Sequence, residues 1–431
     1  GGHKLLSFIT NFNIILFILF TILYSYQIIY VAVALFKKAN KVMPASKNHN
    51  FAVLIAARNE SAVISQLINS IKKQKYPQDK ITVFVIADNC TDDTANVARE
   101  AGANVYERYN KKYIGKGYAL TFALNNIKRD YGDDIFEGFF VFDADNLLDE
   151  NYVCEMNKLF DKGYRVLTCY RNSKNYGTNW ISAGYSLWFM RESQYLNRPR
   201  MMLKTSCAIS GTGFLIHNDI IKKNRGWKHH LLTEDIEFSV DSIINGETIG
   251  YCADAKIYDE QPCTWKQSWI QRLRWSKGFY QVLGKYSKGL LKGLVVDKRF
   301  ACYDMFVTIA PAIFVSLAGI FVNACFMLNG MMSPDPYLEH LIVSTTTTAI
   351  ITSLFNFYIM LFLVGLITTI TEWKQINGTS TVKKILYMFT FPIFILTYIP
   401  ISIAALFKKV GWEPISHNVS KSIDDFEGSQ S

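Results

Sequence analysis

Four short runs of this 431-residue sequence carry side chains that could do chemistry. In "FEGFFVFDADNLLDENY", residues 136–152, an apolar run ends in Asp143 and Asp145. Unpaired carboxylates at the end of a buried strand are costly, so these two need a cationic partner. A hard divalent ion, Mg2+ or Mn2+, prefers carboxylate oxygens and bridges to phosphates, so metal plus diphosphate meets that need. The plainer alternative is a pair of solvated loop acids. In "LLTEDIEFSVDSIINGE", Thr233, Glu234 and Asp235 open a helix whose Ile236, Val240, Ile243 and Ile244 face inward. Those acids either complement a helix N-terminus or present Asp235 as a general base. "SWIQRLRWSKGFYQV" supplies Gln271, Arg274 and Trp275. The planar fork of Arg274 suits a diphosphate, and Trp275 suits either a sugar face or an interfacial aromatic belt. "YIGKGYAL" sets Lys116 in a Gly-flanked turn that fits a phosphate, or otherwise leaves a surface lysine.

Chain segments must bring these runs together. "FAVLIAA" (51–57) and "ITVFVIA" (81–87) are continuous apolar runs of the kind that form strands buried on both faces. Ile64, Leu67, Ile68 and Ile71, then Leu120, Ala123, Leu124 and Ile127, recur at helical spacing between strands. Alternating strands and helices predict an α/β, Rossmann-like fold with a mostly parallel sheet. Ligands bind such sheets at the carboxyl ends of the strands, where Arg58, Asn59, Glu60, Asp88, Asn89, Asp143 and Asp145 all fall. No Gly-x-Gly-x-x-Gly follows the first strand, which disfavours a dinucleotide site.

The rest of the chain belongs to a membrane. Apolar runs cover 8–36, 307–328, 341–370 and 386–407, each longer than the ~20 residues that cross a bilayer as a helix. No small-residue cleavage site follows the first run, so it reads as a retained span. The net charge of +10 is explained by the membrane, not by nucleic acid. Lys37, Lys38, Lys41 and Lys47 follow the first span, and Lys292, Lys298 and Arg299 precede the second, which places the large domain in the cytoplasm. Eight scattered cysteines read as reduced thiols. The expected organisation is a transmembrane helix over 1–37 and a cytoplasmic domain over 48–290. About three membrane segments follow over 299–408, then a cytoplasmic or flexible tail over 409–431. Three spans would leave Lys408 and Lys409 outside, so Pro392 and Pro400 point to a kinked or re-entrant last segment. Segments 179–196 and 265–284 are expected to be amphipathic helices lying at the membrane interface.

Taken together, Asn59-Glu60, Asp88, Asp143-Ala144-Asp145, Thr233-Glu234-Asp235 and Gln-x-x-Arg-Trp at 271–275 resemble the membrane-embedded processive family 2 glycosyltransferases, such as cellulose, chitin and hyaluronan synthases. The resemblance spans residues 50–290 and implies a GT-A-like domain joined to a helical transmembrane bundle. It implies that Ala57, Arg58, Glu60, Asp88, Lys116, Asp143, Gln271 and Arg274 bind a UDP-sugar. Asp143 and Asp145 would hold Mg2+ or Mn2+. Ser210, Gly211 and Trp275 would meet the acceptor, and Asp235, beside Glu234, would deprotonate it. The implied reaction is inverting transfer that polymerises a β-linked polysaccharide at the cytoplasmic face of a bacterial plasma membrane and passes it through the spans. The alternative is a single transfer to a lipid acceptor. "CAISGTGF" (207–214) departs from the acceptor motif of cellulose synthases, which leaves the acceptor sugar open. "VFDADNLL" superficially fits a haloacid-dehalogenase phosphatase loop, but Leu147 stands where Thr or Val belongs.

Overall fold

The computed structural model describes residues 2–39, 41–310, 312–413, 417, 419 and 421–423. Helix α1 (Gly2–Tyr24) turns at Ser25 into α2 (Tyr26–Phe36). Strand β1 (Phe51–Ala57) is followed by α3 (Ile64–Lys72), β2 (Ile81–Asp88), α4 (Thr94–Glu100), β3 (Asn104–Arg108), α5 (Lys116–Tyr131) and β4 (Gly138–Asp143). The short β5 (Leu147–Leu148) and α6 (Tyr152–Asp161) precede β6 (Val166–Ser173). Helix α7 (Trp180–Arg191) passes through a π-helical turn (Glu192–Asn197) into α8 (Arg198–Met202). Then come β7 (Phe214–His217), α9 (Asn218–Lys223), α10 (Glu234–Ile244), β8 (Ile249–Asp259) and the long α11 (Trp265–Val295). Helices α12 (Phe300–Ile309), α13 (Ala312–Met331), α14 (Pro336–Thr371), α15 (Thr381–Leu396) and α16 (Tyr398–Phe407) follow.

One eight-stranded sheet has the order β3-β2-β1-β4-β7-β6-β8-β5. From β3 to β4 it is parallel, as expected. Beyond β4 the sheet is mixed: β7 runs antiparallel to β4 and β6, β6 and β8 are parallel, and β5 is antiparallel to β8. Register sets Ala57 beside Ala87, Ala56 beside Asp143 and Asp88 beside Arg108, so the strand-end residues share one row. One face packs Val53, Ile55, Phe140 and Phe142 against Leu67, Ile68 and Met156. The other packs Leu54, Phe84 and Ile86 against Leu120 and Ala123, and its core continues through Tyr185 and Leu187 of α7 to Phe391 and Phe394 of α15.

That continuity corrects one expectation. Helix α7 is no interface helix with an open face: Ile181 to Leu187, Phe189 and Met190 are buried, between the sheet on one side and α14 and α15 on the other. Close approach explains its small residues, since a Cβ at Gly184 would come within 2.3 Å of the Phe394 ring. Helix α11 does bury a single stripe, through Ser268, Arg272, Ser276, Val282 and Leu290, and extends to Val295 rather than ending at 284.

Among the described residues three segments are long and apolar enough to cross a membrane: Lys4–Phe36, Pro336–Thr371 and Thr381–Phe407. The run expected at 307–328 is divided. Helix α12 ends at Ile309 and Ala310 is extended, as the residue before a proline prefers to be, ahead of α13. The last segment is broken at Thr397, between α15 and α16. Pro400 lacks an N–H and its ring crowds the carbonyl four residues back, at Leu396, where α15 stops. Part of the expected tail, 414–416, 418, 420 and 424–431, lies outside the described residues. Its described part is docked on the sheet domain rather than hanging free, through His417 and Val419.

Candidate active site

The first strand-end loops are built by local bonds. Asn59 and Asn89 both take left-handed backbone conformations, with φ of 57° and 53°, which asparagine tolerates better than most residues. The Thr91 N–H donates to Asn59 Oδ1 at 2.8 Å and the Glu60 N–H to Thr94 Oγ1 at 2.8 Å, which ties the loop after β1 to the loop after β2. Ala57 is buried at the root of its loop. Asp88 is buried and accepts from Arg108 Nη1 at 2.6 Å; burial raises its pKa while the guanidinium opposes the rise. Arg58 lies 5.1 Å from the centre of the Trp412 ring, and Glu60 accepts from His417 Nδ1 at 2.9 Å. Burial lowers the pKa of His417, but the charges of Asp145 and Glu60 outweigh it and push the pKa up to about 10.

Lys116 joins the central residues. It starts α5 after Gly115 and donates from Nζ to Asp143 Oδ1 at 2.6 Å and to the Gly211 carbonyl at 2.8 Å. Gly211, at φ +77°, turns its N–H onto Asp235 Oδ2 at 2.7 Å. Asp143, Lys116, Gly211 and Asp235 therefore form one bonded chain from the end of β4 to the start of α10. Burial works against the Lys116 charge, yet Asp143 and Glu234 raise its pKa.

The two acids of Asp143-Ala144-Asp145 differ. Asp143 keeps 38% of its side chain exposed, and its backbone N–H is fixed by Thr212 Oγ1 and Asn146 Oδ1. Asp145 is 4% exposed and accepts from the Glu260 N–H at 2.8 Å. Burial raises its pKa, but His417 and Lys174 more than offset this and hold it below the usual range. No cluster of three acidic, His or Cys side chains converges among the described residues. Two carboxylates completed by phosphate oxygens and water suit Mg2+ or Mn2+, so the donor set fits such an ion with Asp143 as the open ligand.

At the start of α10, burial raises the pKa of Asp235, and burial with the Asp235 charge pushes Glu234 up to about 7. Helix α11 runs directly over this turn: a Cβ at Gly278 would lie 2.5 Å from Thr233 Oγ1 and Cγ2. Gln271 Oε1 and Thr233 Oγ1 are both buried with no protein partner, as are other polar atoms such as Tyr251 Oη and Thr205 Oγ1. Arg274 donates to the Leu232 carbonyl at 3.1 Å, and Trp275 sets its ring edge-to-face with Tyr185 and Phe189. Ser210 carries its hydroxyl to Glu192 at 3.3 Å. The structure thus joins Lys116, Asp143, Gly211 and Asp235 directly, while Gln271, Arg274 and Trp275 lie on α11, which passes over Thr233.

Other residues that shape the crevice gave no signal in the sequence. Arg171 bonds Asp259 at 2.7 Å and the Ser210 carbonyl at 2.9 Å, with its guanidinium 3.5 Å from the Phe189 ring centre. Burial pushes Asp259 up to about 6 against the pull of Arg171. Arg272, an unspecified position within Gln-x-x-Arg-Trp, is fully buried and donates to the Phe394 carbonyl at 3.1 Å and Thr397 Oγ1 at 2.7 Å. Partners separated by 39 to 125 residues have no spacing to read.

Comparison with known proteins follows the same outline. A family model described as "Glycosyltransferase like family 2" matches residues 49–278, more than half of the chain. A β-monoglucosyldiacylglycerol synthase from Nostoc sp. is 26% identical over 260 residues, covering 58% of this chain and 53% of that protein. A poly-β-1,6-N-acetyl-D-glucosamine synthase from Staphylococcus epidermidis is 22% identical over 297 residues, covering 68% of each. This chain spans between 47% and 66% of the first curated relatives it matches. The solved mannosyltransferase PcManGT from Pyrobaculum calidifontis, in complex with GDP-Man and Mn2+, superposes with a TM-score of 0.55 at 15% identity, covering 92% of this chain and 99% of that one. At that identity the likeness speaks for the fold, a GT-A-like sheet with a helical C-terminal region. With its strand-end acids and the family match over the same residues, the chain belongs to the family 2 glycosyltransferases.

Proposed function

We propose that this protein transfers a sugar from a UDP-sugar, with inversion, onto a growing β-linked glycan that it polymerises at the cytoplasmic face of a membrane. The observation that carries this reading is the bonded chain Asp143–Lys116–Gly211–Asp235. It sets an open carboxylate suited to a metal–diphosphate next to a half-buried carboxylate suited to an acceptor hydroxyl. The acceptor oxygen attacks the anomeric carbon while the bond from that carbon to the diphosphate breaks. Asp235 takes the hydroxyl proton, and the diphosphate leaves carrying the bonding electrons. One base suffices because the diphosphate leaves without protonation, unlike the two-carboxylate chemistry of glycoside hydrolysis.

Burial makes Asp235 a stronger base than a solvated aspartate, and Glu234, held neutral up to about pH 7, spares it an adjacent full charge. Arg58, Glu60 and Asp88 line the nucleoside end, with Ala57 at the foot of that loop. A divalent cation held by Asp143 and Asp145 would supply charge stabilisation to the leaving diphosphate. Lys116 and Arg274 add fixed positive charge on the same side. Gln271, with its unpartnered Oε1, and Trp275 orient the acceptor beside Ser210 and Gly211.

A lipid acceptor is the second reading. The likeness to a glucosyldiacylglycerol synthase favours it, as does the packing of α7, beneath Trp275, against α15. Purified protein in lipid nanodiscs, given UDP-glucose or UDP-N-acetylglucosamine with Mg2+ or Mn2+, tests both. Long polymer from UDP-sugar alone supports polymerisation. Product made only after diacylglycerol is added supports the lipid reading. Release of no UDP from any donor overturns both.

A further inference from the structure

The segment leading to Ser210 and Gly211 belongs to no helix or strand over residues 205–210, so its backbone groups need partners from elsewhere. Between Ala208 and Gly211 they find side chains. Asn197 takes the Ala208 N–H on Oδ1 at 3.1 Å and returns Nδ2 to the Ala208 carbonyl at 3.2 Å, as a paired strand residue would. The Ile209 N–H donates to Ser239 Oγ at 3.0 Å, and that hydroxyl donates in turn to the Asp235 carbonyl at 2.9 Å. Asn197 is itself fixed: Arg200 Nη1 donates to its Oδ1 at 3.3 Å, while the same guanidinium holds Asp304 of α12 at 2.7 and 2.8 Å. Tyr26 and Tyr30 of α2 donate to the two Asp304 oxygens at 2.9 and 2.7 Å. Asn197, Arg200, Ser239 and Asp304 are all buried.

The π-helical turn explains how one short segment meets this loop twice. Its first residue, Glu192, accepts from the Ser210 hydroxyl at 3.3 Å, and its last, Asn197, holds Ala208. Five residues make about 1.4 turns of α-helix, which would point these side chains about 140° apart. A π-helix bonds residues five apart and so brings both onto one side.

We propose that Asn197 and Ser239 are positioning residues of the transfer reaction: they set the Ala208–Gly211 turn, and with it the Gly211 N–H that fixes the Asp235 carboxylate. This rests on the reading of Asp235 as the base. The two residues hold the turn from different directions. Ser239 ties it to the first turn of α10, so the loop and the base cannot shift independently. Asn197 ties it to Arg200 and Asp304, and through two tyrosine hydroxyls to α2. The seat of Asp235 is thus set from the first apolar segment as well as from the sheet. A displacement of about 1 Å at a reacting group can cost about 10²-fold in rate. Asp88 and Asp143, by contrast, sit at the ends of parallel strands and share none of these bonds. Loss of Asn197 or Ser239 therefore falls on turnover and spares the nucleotide.

The test uses the full chain in nanodiscs containing diacylglycerol, with Mn2+ and whichever of UDP-glucose and UDP-N-acetylglucosamine the wild type turns over. UDP release is counted per UDP-binding site, titrated by calorimetry, so that unfolded protein does not enter the rate. S239A, which removes one hydroxyl, is expected to lower kcat about tenfold, and N197A about a hundredfold. UDP affinity and donor KM should stay within about twofold of wild type in both. N197D keeps the oxygen that takes the Ala208 N–H and should recover about tenfold of the N197A loss. A kcat per site equal to wild type in either variant would overturn the proposal. So would a parallel fall in UDP affinity, or loss of UDP binding, in either variant, because these residues would then belong to the general frame. N197D no faster than N197A would also count against it. A wild type that releases no UDP, or D235N turning over as fast as wild type, would count against the reaction itself, which keeps the two failures apart.

Discussion

The two halves of the sheet bring side chains to the crevice by different means. From β3 to β4, parallel strands end in one row and their terminal residues, Asp88 and Asp143 among them, arrive by register alone. From β7 to β5, the strands run in mixed directions, and what reaches the crevice comes from a glycine turn, a helix start and buried charge pairs. The row of residues on the first half is thus a product of strand order, whereas the second half is held by long-range polar contacts that also reach the C-terminal apolar segments. On the first half the buried pair Asp88–Arg108 joins residues already adjacent in register. On the second half, loss of one partner strands another.

Four substitutions sharpen or break that contrast. Asp235→Asn has the largest expected effect: turnover falls roughly 10²–10⁴-fold while UDP affinity, a donor-side property, changes little. Parallel loss of UDP affinity in isothermal titration would merge the two halves into one unit. Asp259→Ala leaves the Arg171 guanidinium buried and unpaired, so stability should drop about 3–5 kcal/mol in denaturant unfolding, with the Ser210 turn loosened. A change within 1 kcal/mol, about the yield of a surface pair, would show that the mixed half does not depend on this contact.

Gly278→Ala pushes a methyl group into Thr233 and should cost about 1–3 kcal/mol while lowering turnover more than donor affinity. Unchanged kinetics would mean that α11 does not set the position of Asp235. The smallest effect is electrostatic. The folded pKa of Glu234 is about 7, above its unfolded value of ~4.3, so the stability linked to its neutral form is complete below the lower value and lost as pH rises through the upper one. Glu234→Gln should therefore gain about 1–3 kcal/mol relative to wild type in thermal unfolding at about pH 8.5, and little at about pH 5. A gain independent of pH would remove the charge explanation.

Much of the donor half could be read directly from the chain, because apolar runs ending in polar residues define both a strand and its end. Asp143 at the close of "FFVFD" is such a case. The start of α10 was legible for the same reason, through acids ahead of an inward-facing period. The direction of β7 was not, since four residues carry no trace of their neighbours. Helix α7 misled because Gly, Ala, Trp and Tyr at helical spacing look alike whether they face lipid, headgroups or another helix. Only the Phe394 ring against Gly184 decides among these. Asp145 reads as an equal of Asp143 in sequence, and its internal partners Glu260, Lys174 and His417 lie too far along the chain to be foreseen.

Arg272 has a mechanical consequence. Its guanidinium is wrapped by the rings of Phe394 and Tyr398 and bonded at the interruption between α15 and α16, while Gln271 and Trp275 sit on the same stretch of α11. Tilting the hinge at Thr397 away from α11 would strand that charge in an oily surrounding. Parting α15 and α16 from α11 at Thr397 therefore carries a cost that falls on the same turn of α11 as Gln271 and Trp275.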